Sequence, residues 1–487
     1  MYALKNILLK KVILSFLVCC NIVAANAQTA ISKSEVEQAG LWVVEITTLN
    51  AEEPQGEMII HPLQPDNINF TYSNIVPCQI VVTLAGDTLF DSGPYVQDVS
   101  GATIRINGNT TAYYSNKLNM PYKLKLEKKD DMLCRGDNQR FADKNWRLLK
   151  DATTLNTVIG LKISQLIGMQ WTPAYVPCNV IINGDYRGCY LLIETVRRNN
   201  SCRIATDKLT GYIVERDPYW WKEEKWFQTP WFENSNTYRW TWKYPDQEDV
   251  TIEKEQYISQ YISDAEQAIS DGGYGAYIDV ESFAKWLLAH DILGTFDSGG
   301  SNMYFKKYDE TDESLLEMPC LWDFDSNFRM TAGTFSRLHT SPNSYFDALL
   351  ANHDKSFAKA YVRLWDEKKD ELQQQIIAFI NDYRASDECK ALDNSRKLYN
   401  KRWGYTYSNV NSNINVALKW MQTHIGLLGE NIETIDTTSA NGLHAIPLPK
   451  TSEKYYNLKG IRLAKPAKIG ITKYHQDSRT IITKSCR

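Results

Sequence analysis

The chain has 487 residues, enough for two to four domains of ordinary size. Hydrophobic residues make up 43% and charged residues 23% of the sequence, and this balance excludes a chain that is disordered over most of its length. Lys and Arg number 54 against 58 Asp and Glu, so the formal net charge of -4 provides no overall attraction for nucleic acid or anionic lipid. We therefore expect a folded protein with no nucleic-acid partner.

The first residues have the pattern of a secretory signal peptide. Three lysines precede an almost wholly apolar run over 12–23, and Ala25-Asn26-Ala27 then matches a cleavage site. We predict a signal peptide over 1–27 and a mature chain from Gln28 that is secreted, periplasmic or at the cell surface; an uncleaved anchor is the alternative. No later stretch is long and apolar enough to span a bilayer, so we expect no transmembrane segment after the signal peptide.

The remaining sequence divides into three zones. Short strands punctuated by turns predict a small β-rich module over 28–100. Residues 101–430 begin with mixed strands and helices and continue as mostly helix, with a predicted helix over 155–167 and another from an Asp279 cap to Leu293. Residues 431–487 are predicted to be a linker and a short C-terminal β module.

A Trp-rich insertion lies inside the second zone, at about 219–244. Its aromatic side chains are suited to a platform for a sugar or peptide, and equally to ordinary packing of a large insertion.

Several common sites are missing from the sequence. It contains no C-x-x-C and no H-E-x-x-H, which argues against structural zinc and zincin chemistry, and no G-x-S-x-G or P-loop. Cys178 and Cys189 flank the turn Asn183-Gly184-Asp185, which fits either a hairpin disulfide or two buried free thiols. The chemistry that remains possible after these exclusions is that of carboxylates.

Two acidic motifs are candidates for that chemistry. Asp297 precedes Asn302 by five residues, the spacing in protein-kinase catalytic loops of a base and a metal ligand, although a Gly-rich turn explains the pair as well. Asp323 and Asp325 alternate with Trp322 and Phe324, so an extended segment would place both carboxylates on one face. Paired carboxylates favour a hard cation such as magnesium or manganese, or else serve as turn and capping residues.

Two further segments could bind phosphate. Alternation over 120–126 places Lys123 and Lys125 on one face of a strand, facing either solvent or a cleft. A strand over 104–106 leads into a polar turn that contains Asn109 and Thr110, whose amides and hydroxyl suit phosphate or an ordinary hairpin turn.

Taken together, these motifs resemble the CotH kinase family, secreted atypical kinases related to spore coat protein H. The resemblance runs from about 101 to 330 in chain order. Its most specific blocks are Asn183-Gly184-Asp185-Tyr186-Arg187-Gly188-Cys189-Tyr190-Leu191-Leu192-Ile193-Glu194 and Trp322-Asp323-Phe324-Asp325.

The resemblance implies an α+β fold with an atypical protein-kinase-like domain over 101–430, in which a β-rich N-terminal lobe and a helical C-terminal lobe enclose ATP. It also implies the roles of individual residues. Asp297 would be the catalytic carboxylate; Lys125, Asn109, Thr110 and Glu194 would bind nucleotide; Asn302, Asp323 and Asp325 would bind Mg or Mn.

One block departs from the family pattern. The family reads close to I-x-G-R-G-N-S-T, whereas this chain has Ile106 and Asn107 at the Gly and Arg positions. The change removes a bidentate phosphate ligand, for which Arg105, Arg135 or Lys144 are possible substitutes.

Three functions follow as hypotheses. The first is a metal-dependent kinase that transfers the γ-phosphoryl group of ATP to Ser or Thr of exported proteins. The second is a catalytically weak relative that binds a glycan or a host protein at a surface. The third, glycoside hydrolysis, requires Asp323 or Asp325 to face Glu194 or Asp297 across an open cleft of roughly 5 to 10 Å.

Overall fold

The computed structural model describes residues 29–115, 118–150, 155–232, 237–295, 298, 302–328, 345–404 and 409–438, together with four strands between 454 and 486. The predicted signal peptide, 1–27, lies outside these residues. The chain divides into two compact units, one ending at Thr437 and the other beginning at Thr438.

The first half of the first unit is rich in strands. It contains α1 (Lys33–Gln38), β1 (Trp42–Thr48), β2 (Gly56–His61), β3 (Gln64–Tyr72), β4 (Val76–Leu84), β5 (Asp87–Asp91), β6 (Ala102–Ile106), α2 (Thr110–Tyr113), β7 (Tyr122–Asp130), α3 (Asn138–Phe141), β8 (Asp143–Leu149), α4 (Leu155–Ile167), β9 (Tyr175–Ile182) and β10 (Asp185–Glu194).

Seven of these strands form a closed barrel. The sheet order is β1-β9-β10-β8-β7-β6-β4, and β1 closes it by pairing antiparallel with β4 and parallel with β9. Successive side chains alternate between the two faces of each strand, and Ile104, Leu124 and Trp146 belong to the buried interior. The barrel therefore has its own apolar core and an outer face that is available for other contacts.

The barrel changes the predicted division of the chain. The sequence analysis places 28–100 in a module of its own, whereas β1 and β4 of that segment are barrel strands beside β9 and β6. Pairing between strands so far apart in sequence cannot be read from local patterns. The hairpin of β2 and β3 is a separate two-stranded sheet.

The second half of the first unit is mainly helical around a second sheet. It contains β11 (Tyr212–Asp217), β12 (Trp226–Phe227), β13 (Arg239–Tyr244), α5 (Ile252–Asp271), α6 (Val280–Leu293), β14 (Met303–Lys307), β15 (Leu316–Glu317), α7 (Tyr345–Ala351), α8 (Ser356–Ala385), α9 (Asp387–Trp403) and α10 (Val410–Ile432). The sheet order is β12-β13-β11-β14-β15. The mixed α+β class, with sheets early and helices late, is confirmed.

The helix ends follow their local chemistry. Asp279 accepts a hydrogen bond from the Ser282 amide at 2.8 Å and so caps α6, as the sequence predicts. Gly294 ends the same helix with a φ of 60°, a left-handed conformation that favours glycine. The predicted helix over 155–167 is α4.

Three of the six tryptophans of the insertion are buried packing residues. Trp220, Trp240 and Trp242 are buried, and Trp226 is the most exposed of those described, at 39%. These side chains fill the space around β11 and β13, which supports the packing interpretation for most of the insertion.

Cys178 and Cys189 do not form a disulfide. Cys178 pairs with Tyr190 in the register of β9 and β10, so the adjacent Cys189 points to the opposite face. Cys178 belongs to the barrel core and Cys189 to the core of the helical half.

The second unit contains four strands: β16 (Lys454–Tyr456), β17 (Arg462–Leu463), β18 (Ile469–Gln476) and β19 (Arg479–Cys486). They form a sheet in the order β17-β16-β18-β19. In neither unit does the described part of the chain include a helix with the length and apolar character needed to cross a bilayer.

Candidate active site

Three basic side chains lie in a row across the outer face of the barrel. Arg105 of β6 pairs with Lys123 of β7, and Lys123 pairs with Arg147 of β8. Within the described residues, none of the three forms an ion pair with a carboxylate, and Arg147 Nε has no hydrogen-bond partner. Like charges directly opposite each other on adjacent strands repel. A bound anion would therefore reduce the electrostatic repulsion among these three side chains.

The repulsion affects the protonation of the middle residue. The pKa of Lys123 is lowered to about 7, chiefly by burial and then by the charges of Arg105, Arg197, Arg147 and Lys243. Strongly shifted groups in clefts are typical of functional sites.

The second sheet contains a pair of opposite charges. Lys243 of β13 donates to Glu215 of β11 at 2.7 Å, and its charge is among those that lower the pKa of Lys123. The pKa of Asp217, also on β11, is raised to about 7, chiefly by burial and then by the charge of Glu215. Asp217 accepts hydrogen bonds from the Tyr219 amide at 2.7 Å and from Thr241 Oγ1 at 3.1 Å. Both signs of charge are thus present on β11 and β13.

Two predicted metal ligands are in contact. Asn302 Nδ2 donates to Asp323 Oδ2 at 3.1 Å, although 21 residues separate them in the sequence. Both have left-handed backbones, with φ of 59° at Asn302 and 64° at Asp323. Such conformations cost free energy in residues other than glycine and cluster at functional sites.

The carboxylates of this segment point to solvent while their apolar neighbours are buried. Asp323 and Asp325 are exposed, whereas Trp322 and Phe324 are buried. The predicted alternation is therefore correct, but the segment is not a strand, because Asp323 has a positive φ.

The loop that carries these carboxylates is anchored to two helices. Phe324 packs on Gly160 of α4 so closely that a Cβ at position 160 would lie 2.2 Å from its ring. Asn327 Nδ2 donates to the Asn156 carbonyl at 3.0 Å, and the Phe328 amide donates to the Leu293 carbonyl at 2.9 Å. The loop thus has a fixed position.

Trp322 joins the loop to the basic row. The Arg147 guanidinium lies 5.3 Å from the centroid of the Trp322 ring, within the range of a cation–π interaction. Trp322, which precedes Asp323, therefore places the loop next to the basic row.

The chemistry of this pair suits magnesium or manganese. Both cations prefer oxygen ligands, and Mg²⁺ commonly takes one or two carboxylates and completes its shell with water and substrate phosphate. Among the described residues there is no cluster of three or more His, Cys, Asp or Glu that could hold a metal. Asn302, Asp323 and Asp325 would supply amide and carboxylate oxygens, and water and substrate phosphate would complete the shell.

Lys125 lies farther from the polar turn than Lys123. It is exposed, and its Cα partners are Thr103 and Asn145. Residues two apart on a strand share a face, so Lys125 lies on the face of the basic row but one step away from the turn. Lys123 is the lysine that the structure places between the two arginines.

The predicted turn residues are held by the Trp-rich insertion. Asn109 Oδ1 accepts a hydrogen bond from Lys222 Nζ at 2.6 Å, and Thr110 Oγ1 lies 3.0 Å from the Tyr219 hydroxyl.

Glu194, a predicted nucleotide ligand, lies in a buried ion pair. It is buried, and it accepts hydrogen bonds from Arg135 Nη1 and from the Ala174 amide, each at 2.9 Å. It pairs with Trp146 in the register, so it shares the face opposite to Arg147. Glu194 thus lies away from the basic row, and it is too enclosed to be the exposed acid that glycoside hydrolysis requires.

Three predicted residues remain: Arg105, Arg135 and Asp297. The predicted catalytic residue, Asp297, lies outside the described residues. Arg105 belongs to the basic row, whereas Arg135 is bound to Asp131 and Glu194. Of these two proposed substitutes for the missing Arg, only Arg105 is part of the basic row.

A family model described as CotH kinase protein matches residues 104–426, which is more than half of the chain. The chain belongs to the CotH kinase protein family. The match begins at the strand that carries Arg105 and includes the whole candidate site. No curated protein matches the sequence.

No role was predicted from the sequence for three residues of this region: Arg147, Lys243 and Glu215. A useful signal was present in the alternation of β7, which marks Lys123 as outward-facing; only the register of three strands places Arg105 and Arg147 beside it.

Proposed function

We propose that this CotH family member is an exported atypical kinase that transfers the γ-phosphoryl group of ATP to Ser or Thr of another exported protein. The observation that supports this most strongly is the unpaired basic row beside the Asn302–Asp323 pair. A cationic surface next to oxygen ligands for a divalent cation is what a nucleoside triphosphate requires.

The basic row is suited to the phosphates. Arg105 and Arg147 offer planar, permanently charged groups that can each form two parallel hydrogen bonds to phosphate, and Lys123 offers a point charge between them. Bound phosphate would also raise the pKa of Lys123 back toward its ordinary value, since an anion favours the ammonium form.

Asn302 and Asp323 would hold Mg or Mn, with Asp325 beside them. When bound, the cation would neutralise charge on the phosphate oxygens. The anchored loop fixes the direction of the Asp323 carboxylate, so this ligand needs little reorganisation when nucleotide arrives.

The reaction itself needs a base for the substrate hydroxyl. We assign this role to Asp297, five residues before Asn302 in the sequence. The hydroxyl oxygen forms a bond to the γ-phosphorus, the bond from that phosphorus to the β-phosphate oxygen breaks, ADP leaves, and the hydroxyl proton passes to the Asp297 carboxylate.

The test uses the chain from Gln28 to its end. We expect it to bind ATP in the presence of Mg or Mn and to label itself or a Ser-rich protein from γ-labelled ATP. Asp323→Ala should reduce transfer by about a hundredfold or more, since it removes charge stabilisation at the reacting group. An unchanged thermal unfolding midpoint would show that the fold survives.

Asp366→Ala is the matched control, because Asp366 is an exposed carboxylate on α8 that pairs with Lys369. It should leave transfer unchanged. A wild-type chain that neither binds ATP nor transfers phosphate with either metal would contradict the kinase proposal and favour the alternative, a surface-binding relative that recognises a glycan or host protein.

A further inference from the structure

The turn between β6 and α2 is held from outside by two residues of the Trp-rich insertion. Tyr219 contacts Thr110, and Lys222 donates to Asn109, as described above. The Asn109 side chain makes no capping bond to α2; its oxygen accepts from Lys222 instead. The position of this turn therefore depends on a distant part of the chain.

Lys222 directs all of its donors at neutral oxygens. Besides Asn109, it donates to Asn69 Oδ1 at 3.1 Å and to the Phe70 carbonyl at 2.7 Å, both on β3. An ammonium group has three donors, so these contacts use them all. Among the described residues, no carboxylate forms an ion pair with Lys222. A half-buried cation whose hydrogen-bond partners are all neutral is stabilised further when an anion comes close.

The same turn follows the strand that carries Arg105 of the basic row. Asn107 begins it, one residue beyond β6 and two beyond Arg105. We infer that Lys222 supplies positive charge to this turn and fixes Asn109, and so acts as a positioning residue for the nucleotide phosphates. The inference rests on the proposed kinase function.

The surroundings of Lys222 give it a distinctive pH dependence. Its pKa is lowered to about 8, because burial lowers it by more than the charges of Asp217 and Glu223 raise it. The other groups that contact Lys222 carry no charge: they are Asn69, Phe70, Asn109 and the rings of Tyr219 and Trp221. The centroids of these rings lie 5.0 and 5.6 Å from Lys222 Nζ. The charge is thus present at pH 7 and is lost as the pH rises through about 8.

The experiment compares Lys222→Met, Lys222→Arg and Lys225→Met in the chain from Gln28, by calorimetric titration with Mg-ATP and with adenosine. Lys225 is a matched control, since it lies in the same insertion and donates to the Val250 carbonyl at 2.9 Å. We expect Lys222→Met to weaken ATP binding about tenfold and to leave adenosine binding unchanged, because adenosine has no phosphates. Lys222→Arg should recover part of the loss, and Lys225→Met should bind ATP as the wild type does.

A second measurement covers the case in which Lys222→Met does not fold. Between pH 7 and 9 the wild type should lose ATP affinity more steeply than Lys222→Arg, whose guanidinium stays charged. Equal pH slopes for these two proteins would overturn the inference.

The outcomes separate the inference from the function on which it rests. If Arg147→Met loses ATP while a folded Lys222→Met binds it with wild-type affinity, the inference is wrong and the kinase proposal stands. Equal losses of ATP and adenosine in Lys222→Met would also overturn it, since they indicate a structural role only. A wild type that binds no ATP overturns both.

Discussion

Two groups of basic side chains on the barrel strands and the loops beside them differ in their partners. Arg135 and Arg203 lie among carboxylates: Arg135 binds Asp131 and Glu194, and Arg203 Nη1 lies 3.3 Å from Asp143 Oδ1. The basic row has the same kind of side chain on neighbouring positions and no carboxylate partner within the described residues.

The difference separates a structural role from a binding role. In the first group the charges are matched within the protein, so the cost of burying them is offset at all times. In the basic row no carboxylate of the described residues forms an ion pair, so a bound anion would offset part of that cost. Stability and ligand binding should therefore respond in opposite ways to mutation of the two groups.

The largest expected effect is on stability, in the matched group. Arg203→Met leaves Asp143 and Glu194 with less compensating charge in a buried place, so we expect it to lower the free energy of unfolding by about 3–5 kcal/mol. Urea denaturation followed by circular dichroism measures this change. Arg363→Met is the control, since Arg363 is exposed and its pair with Glu281 should be worth at most about 1 kcal/mol. An Arg203→Met as stable as this control would contradict the structural role.

A smaller effect concerns pH and the middle of the basic row. The pKa of Lys123 falls from 10.5 to about 7 on folding, so above pH 7 the unfolded chain holds more protons at this residue than the folded chain does. The contribution of Lys123 to the free energy of unfolding should therefore rise with pH between about 7 and 10.5, by at most about 1.4 kcal/mol per pH unit.

We expect the difference in stability between the wild type and Lys123→Met to shift in favour of the wild type from pH 7 to pH 9, as measured by urea denaturation. Lys125→Met, on the same strand but exposed, is the control and should show no such shift. A pH-independent difference for Lys123→Met would mean that its charge is not suppressed by folding.

The smallest expected change in stability is at Arg147. Arg147→Met relieves repulsion from Lys123 and loses the contact with Trp322, and each of these amounts to about 1 kcal/mol or less. The free energy of unfolding should thus change by less than about 1 kcal/mol, while ATP affinity falls about tenfold by calorimetric titration. An Arg147→Met that is as unstable as Arg203→Met would remove the distinction between the two groups.

Local parts of this fold could be predicted from the sequence. The helix over 155–167 and the Asp279 cap follow from spacing and from a short polar side chain at a helix start, which act within a few residues. The alternation of Asp323 and Asp325 with buried aromatic residues could also be predicted, because polar and apolar residues alternate within four consecutive positions.

What depends on distant pairing could not be predicted. The barrel needs β1 beside both β4 and β9, and the place of Lys123 between Arg105 and Arg147 needs the register of three strands. The left-handed backbone at Asp323 is set by anchoring to α4 and α6, which no local pattern encodes. The contact between Lys222 and Asn109 joins residues 113 positions apart, and a single sequence gives no sign of it.

The closure of the barrel by β1 also bears on how the chain reaches its folded state. The amide of Thr48, at the end of β1, donates to Asn183 Oδ1, which is 135 positions later. Closing so long a loop costs chain entropy before any contact repays it, which slows folding. Until β1 docks, β4 and β9 are open edges that can pair with another molecule. Conditions that delay this one strand should favour aggregation over the native barrel.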